Sequence, residues 1–96
     1  MILTERRTDR GLLVTVCDDE ALGETYEDGN VSLTVTEEFY GGEQADADAV
    51  AAALAGASVA NLVGTRAVEL AVEEGFVEEE NVLELDGTLH AQFLRL

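Results

Sequence analysis

The order of hydrophobic periods along this chain predicts an α+β fold: a mostly antiparallel five-stranded sheet with two main helices packed on one face. Period-2 alternation occupies both ends of the 96 residues, helical spacing fills the middle, and Asp86-Gly87 is a strong two-residue hairpin signal. Strands that flank a central helical block favour helices segregated to one side of an antiparallel sheet over helices alternating through a parallel one.

The first two strands are Ile2 to Thr8 and Gly11 to Cys17, joined by the turn Thr8-Asp9-Arg10-Gly11. Leu12, Val14 and Val16 alternate with Leu13, Thr15 and Cys17, as a pleated strand requires. Asp18 then stands as an N-cap for a single helical turn through Leu22, with Gly23 as its left-handed stop. The third strand runs from Asn30 to Thr36, with Val31, Leu33 and Val35 on one face.

The period becomes helical at Asp46, an N-cap for Ala47, Val50, Ala51 and Leu54, and Gly56 ends that helix. A second helix ends at Glu74-Gly75-Phe76 as a Schellman cap. Its start has two readings. From Ser58, Val59, Leu62, Val63, Ala67, Leu70 and Ala71 share one broad face; from Thr65, Gly64 becomes a turn with helical N–H groups beyond it. Val82 to Leu85 and Thr88 to Leu94 form the closing hairpin.

Charge is the chain's most unusual property: 21 Asp and Glu stand against five Arg with no Lys, for a formal net charge of −16. Acidic side chains hold water where lysine would lay an alkyl stem on the surface, which is the expected adaptation to a cytoplasm at molar salt. At about 1 M the Debye length is roughly 3 Å, so neighbouring carboxylates scarcely repel. Charge is therefore no guide here to whether nucleic acid is a partner. Disorder is excluded by a 47% apolar content with clear periods. The length, with no Pro and no linker, gives one domain.

A single cysteine, Cys17, rules out an internal disulfide and fits a reducing interior. No secretory leader pattern is present, and the low-charge stretch Ala47 to Val68 is Ala- and Gly-rich and broken by polar groups, so a cytoplasmic protein without membrane contact is expected. Asp18-Asp19-Glu20 and Glu78-Glu79-Glu80 lack the spacing of a calcium loop, and one His with one Cys cannot make a zinc site. No metal and no cofactor is expected.

Three patches carry candidate chemistry. Asn61, Gly64 and Arg66 would converge on an anion if the helix starts at Thr65, whereas a start at Ser58 makes Gly64 a close-packing position. Tyr40, Gly41 and Gly42 offer an aromatic platform and a flexible approach, or else a sheet-edge tyrosine and a plain turn behind a core Phe39. His90 and Gln92 project from one side of the last strand, able to meet a ligand edge or to serve structurally. Cys17 with His90 offers a nucleophile–base pair in principle, or else Cys17 is a small buried hydrophobe at a strand end.

The blocks Cys17-Asp18-Asp19-Glu20-Ala21-Leu22-Gly23, Glu38-Phe39-Tyr40-Gly41-Gly42, Asn61 through Ala71 and His90-Ala91-Gln92 together resemble the archaeal domain-of-unknown-function family 424, in the same order across nearly the whole chain. That resemblance implies a small cytoplasmic archaeal protein of a group loosely described as RNA-binding. It also implies that the three patches form one surface. The resulting expectation is a non-enzymatic module binding RNA or ribosomal particles, with Arg66 on a phosphate, Tyr40 stacking, and His90 and Gln92 on base or ribose edges. A DNA partner is not expected. The alternatives are a small enzyme or nucleotide-handling protein using Cys17 and His90, and a homodimer through the sheet edge at Ile2 to Thr8 or Leu89 to Leu96.

Overall fold

The computed structural model describes residues 1–95. β1 (Ile2–Thr8) and β2 (Gly11–Cys17) pair antiparallel from Ile2↔Cys17 to Thr8↔Gly11. A 3-10 turn over Asp19–Ala21 leads to β3 (Thr25–Asp28) and β4 (Val31–Thr34), a separate two-stranded ribbon. There follow α1 (Glu37–Tyr40), β5 (Glu43–Gln44), α2 (Ala47–Ala55), β6 (Val59–Val63) and α3 (Thr65–Glu73). A second 3-10 turn, Glu79–Asn81, precedes β7 (Leu83–Leu85) and β8 (Thr88–Leu94).

The fold is mixed α and β, and the main sheet holds six strands in the order β5-β1-β2-β6-β8-β7 where five were expected. Every neighbouring pair is antiparallel except β2 with β6, which run parallel. Three differences explain the count, the first being β5, a two-residue strand that pairs with Ile2 and Leu3 and was not expected. The strand expected over Asn30 to Thr36 leaves the main sheet to pair with β3, and Val59–Val63, which one reading placed in a helix from Ser58, is a central strand. A central strand with two mainly apolar faces shows a near-continuous apolar run, which helical spacing also fits.

Alternate residues of the sheet supply two cores. Val14, Val16, Ala60, Leu62 and Ala91 pack with Val50 and Leu54 of α2 and with Ala67, Val68 and Ala71 of α3. On the opposite face Ile2, Cys17 and Val63 pack with Ala21, Val35 and Tyr40. The ends of the helices are closed by specific bonds. Asp46 Oδ1 accepts from Ala49 N at 2.9 Å, starting α2. Arg95 Nη1 donates to the carbonyls of Leu54, Ala55 and Ala57 at 3.3, 3.0 and 3.1 Å, ending it. At the end of α3, Phe76 N donates to Ala71 O at 2.8 Å and Gly75 N to Val72 O at 3.0 Å, the Schellman pattern.

Candidate functional site

Register fixes what each sheet face displays. On the face away from α2 and α3, Ile2, Cys17, Val63 and His90 stand side by side across β1, β2, β6 and β8. The next row is Thr4, Thr15, Asn61 and Gln92, and the third is Arg6, Leu13, Val59 and Leu94. The elements covering this face leave part of it open. Thr15 Oγ1 donates to Phe39 O at 3.2 Å and Thr4 Oγ1 to Gly41 O at 2.6 Å, so α1 and its exit lie over β1 and β2. Tyr26 of the ribbon approaches the β7–β8 turn at Gly87. Between these covers Asn61 is half-buried, Gln92 is exposed, and Leu94 is 61% exposed.

The main-sheet strands put no carboxylate on this half-open face, although the β3–β4 ribbon beside it carries Glu27 and Asp28. The main sheet's only acidic residues, Glu5, Glu43 and Glu84, pair with Val14, Leu3 and Leu89 and so point to the helix side. Arg6 does lie on the open face; its Nη2 donates to Glu38 O and its guanidinium sits 5.6 Å from the centre of the Phe39 ring. His90 Nδ1 lies 2.9 Å from Leu62 O. A carbonyl only accepts, so Nδ1 carries the proton and Nε2 is the group left to address a ligand. Sequence reasoning picked out Asn61, His90 and Gln92, with Leu94 on the same side of the last strand, and missed Arg6, Leu13 and Val59. The signal was available for Arg6, because period-2 alternation from Ile2 puts it on the same face as Thr4.

Gly64 and Arg66 belong to a different place, where the parallel strands β2 and β6 end. α3 does start at Thr65, but its first N–H groups are already bonded: Arg66 N donates to Asp18 Oδ2 and Ala67 N to Asp18 Oδ1, both at 2.9 Å. Asp18 is 4% exposed and its side chain makes no bond to the 3-10 turn it was expected to cap. The chain therefore carries its own anion at the helix start, where the dipole stabilises it. Gly64 has φ 117° and ψ 150°, a region that only glycine enters without strain, and a Cβ there would run into the Asp18 carboxylate. The exposed Arg66 side chain stands at this closed end, on the helix layer rather than among the open-face rows.

Tyr40 is 3% exposed within the second core and its ring meets Phe39 edge-on at 5.0 Å, so neither face is offered to a base. Burial pushes its hydroxyl up to about 12. Gly42 is exposed, yet a Cβ there would strike Thr4 and the Leu3 carbonyl, so this glycine serves the close crossing of β1. Gly41 carries the carbonyl that Thr4 grips. Cys17 and His90 share a row with Val63 between them, which sets them about 10 Å apart at ordinary strand spacing and beyond hydrogen-bond reach. The Cys17 thiol is fully buried, and desolvation with the adjacent Asp18 raises it to about 11. The eight candidates thus divide into three on the open face, three over β1 and two at the start of α3.

Of the two edges considered for self-association, β1 is free beyond Leu3, because β5 pairs only with Ile2 and Leu3. β8 is interior as far as His90, where β7 stops, and Leu96 lies outside the described residues. No helix among the described residues is long and apolar enough to cross a membrane. Nor do they include a group of three or more His, Cys, Asp or Glu that could hold a metal ion.

Fold and site define an α+β sheet protein with one face half uncovered and its parallel-strand end sealed by an internal carboxylate. The chain belongs to the family described as "Protein of unknown function (DUF424)", whose family model matches residues 5–96. It is similar in fold to an uncharacterized conserved protein from Methanopyrus kandleri, known from a crystal structure, with TM-score 0.79 and 24% identity over 99% of this chain and 92% of that one. Comparison with curated proteins gives no match.

Proposed function

We propose that this protein is a non-enzymatic binding module of the cytoplasm whose open sheet face docks on RNA within a ribonucleoprotein of the translation machinery. One observation carries the reading: on a chain of net charge −16, this strand face has no carboxylate and displays Asn61, Gln92, His90 and Arg6 among apolar side chains. Amide and imidazole groups meet base and ribose edges by hydrogen bonds, Arg6 meets a phosphate, and Leu13, Val59 and Leu94 cover base surface. Counterion release contributes little in brine, so recognition rests on these short-range contacts. An enzyme built on Cys17 and His90 has no support in this geometry, since the thiol is buried, raised and out of reach of the imidazole.

The test is ultraviolet crosslinking to RNA in lysate at about 1 M KCl. Wild-type protein is expected to crosslink, and Asn61→Ala/Gln92→Ala with Arg6→Ala to lose most of the yield while remaining folded. Equal yield from the variant would remove the open face from the proposal.

A further inference from the structure

The helix side of the sheet carries a groove of ≈ 560 Å³ between α3 and the β7–β8 hairpin, on the opposite side from the open face. Its floor is apolar: Val68 is buried, while Val72, Val82 and Leu89 are left half-buried. Its rim is Glu69, Glu73, Glu79 and Glu84, all exposed. Adaptation to brine accounts for the carboxylates, because they hold water. It does not account for an apolar floor left open between them, since solvent gains nothing from that floor. The groove therefore fits a ligand with apolar groups for the floor and cations for the rim.

We propose that this groove binds a basic amphipathic segment of a partner protein, in helical form. Glu69 and Glu73 lie one helical turn apart on α3, about 6 Å along its axis, which matches Lys or Arg side chains at i and i+4 of a docked helix. Long basic side chains lay their methylenes on Val72 and Leu89 and carry their charges out to the rim. Other occupants fail on the same chemistry. A polyanion such as RNA has no cation to set on the rim and would press phosphates into direct contact with four carboxylates, inside the screening distance of roughly 3 Å at about 1 M salt. A second copy of this chain has five Arg and no Lys against 21 Asp and Glu, so it has few cations to offer the rim. A bare metal ion gains nothing from the floor, and these carboxylates are not grouped to hold one. The groove is separate from the RNA surface, so one molecule can engage both, as a module seated between RNA and a basic protein would.

The test uses a fluorescein-labelled helical peptide of Leu and Lys at heptad spacing, about four turns long, with a scrambled peptide of equal composition as control, in roughly 1 M KCl. Anisotropy is expected to show the heptad peptide bound at least about tenfold more tightly than the scramble. Glu69→Gln/Glu73→Gln/Glu84→Gln and, separately, Val72→Thr should each weaken it by about five- to tenfold, whereas Asn61→Ala/Gln92→Ala should leave it unchanged. Absence of wild-type binding, equal binding of the scramble, or indifference to Val72→Thr would overturn the groove assignment. The same Glu variants leave RNA crosslinking intact if the two surfaces are independent, so failure of one proposal is distinguishable from failure of the other.

Discussion

Replacing Asp18 by alanine takes both acceptors from the first turn of α3 and leaves the Arg66 and Ala67 N–H groups, each now bonded at 2.9 Å, without protein partners. Bonds to a charged acceptor contribute about 1.5–3 kcal/mol each, giving an upper figure of about 6 kcal/mol for the pair. The actual loss should be smaller. Thr65 and Arg66 are exposed, so water enters the vacated end, and loss of an ordinary N-cap costs about 0.5–2 kcal/mol. Removing a carboxylate that is 4% exposed also relieves its desolvation. An expected loss of about 3 kcal/mol follows, which for a domain of this size lowers the melting temperature by about 12–24 °C. Asp18→Asn keeps one acceptor and turns an amide NH₂ toward the other donor, so about half that loss is expected. The assay is thermal and urea unfolding followed by circular dichroism in roughly 1 M KCl. A loss below about 1 kcal/mol for Asp18→Ala would refute the view that this carboxylate holds the start of α3.

Other perturbations have equally definite outcomes. Gly64→Ala forces a side chain into the Asp18 carboxylate at φ 117°, so urea unfolding should show a loss of at least about 2 kcal/mol, and Asp18→Ala/Gly64→Ala should lose less than the sum because the clashing group is gone. Cys17 and Tyr40 have folded pKa values raised to about 11 and about 12 from 9.0 and 10.0. The folded state therefore keeps protons that the unfolded state releases. This contribution to stability is whole below about pH 9 and lost as pH rises through the folded values, so an alkaline titration by circular dichroism should unfold the chain in that window and Tyr40→Phe should move the midpoint upward. Stability should also rise with KCl from about 0.1 to 2 M as self-repulsion among the carboxylates is screened; an unchanged urea midpoint would mean that brine did not select the acidic surface.

Much of the fold was legible because local signals and tertiary structure agreed. Both long hairpins, the Asp46 cap and the Glu74-Gly75-Phe76 stop came from turn residues whose chemistry permits little else. β3 was missed although Asp28-Gly29 repeats the signal read correctly at Asp86-Gly87 and Tyr26 pairs with Leu33; the strand is short and two of its four residues are acidic. Val59–Val63 defeats periodicity for a physical reason: it is a central strand whose two faces are both mainly apolar, with Ala60 and Leu62 on one and Val59 and Val63 around a single Asn61 on the other, so alternation does not mark its period. The site was legible where alternation sufficed, at Asn61, His90 and Gln92. It was not legible where two distant segments meet. Nothing local in Cys17-Asp18-Asp19 announces that Asp18 will fill a helix start 48 residues later, and Tyr40 is buried only because Val35 and Ala21 fold back over Cys17.

The proposed binding face is tested most directly by placing carboxylates on it without changing its shape. Asn61→Asp/Gln92→Glu is near-isosteric, and its co-sedimentation with ribosomal particles in lysate at about 1 M KCl can be set beside that of wild type. Co-sedimentation of wild type with at least about a tenfold drop for the variant is the expected result. Equal recovery of the two proteins, or no recovery of wild type, would contradict it.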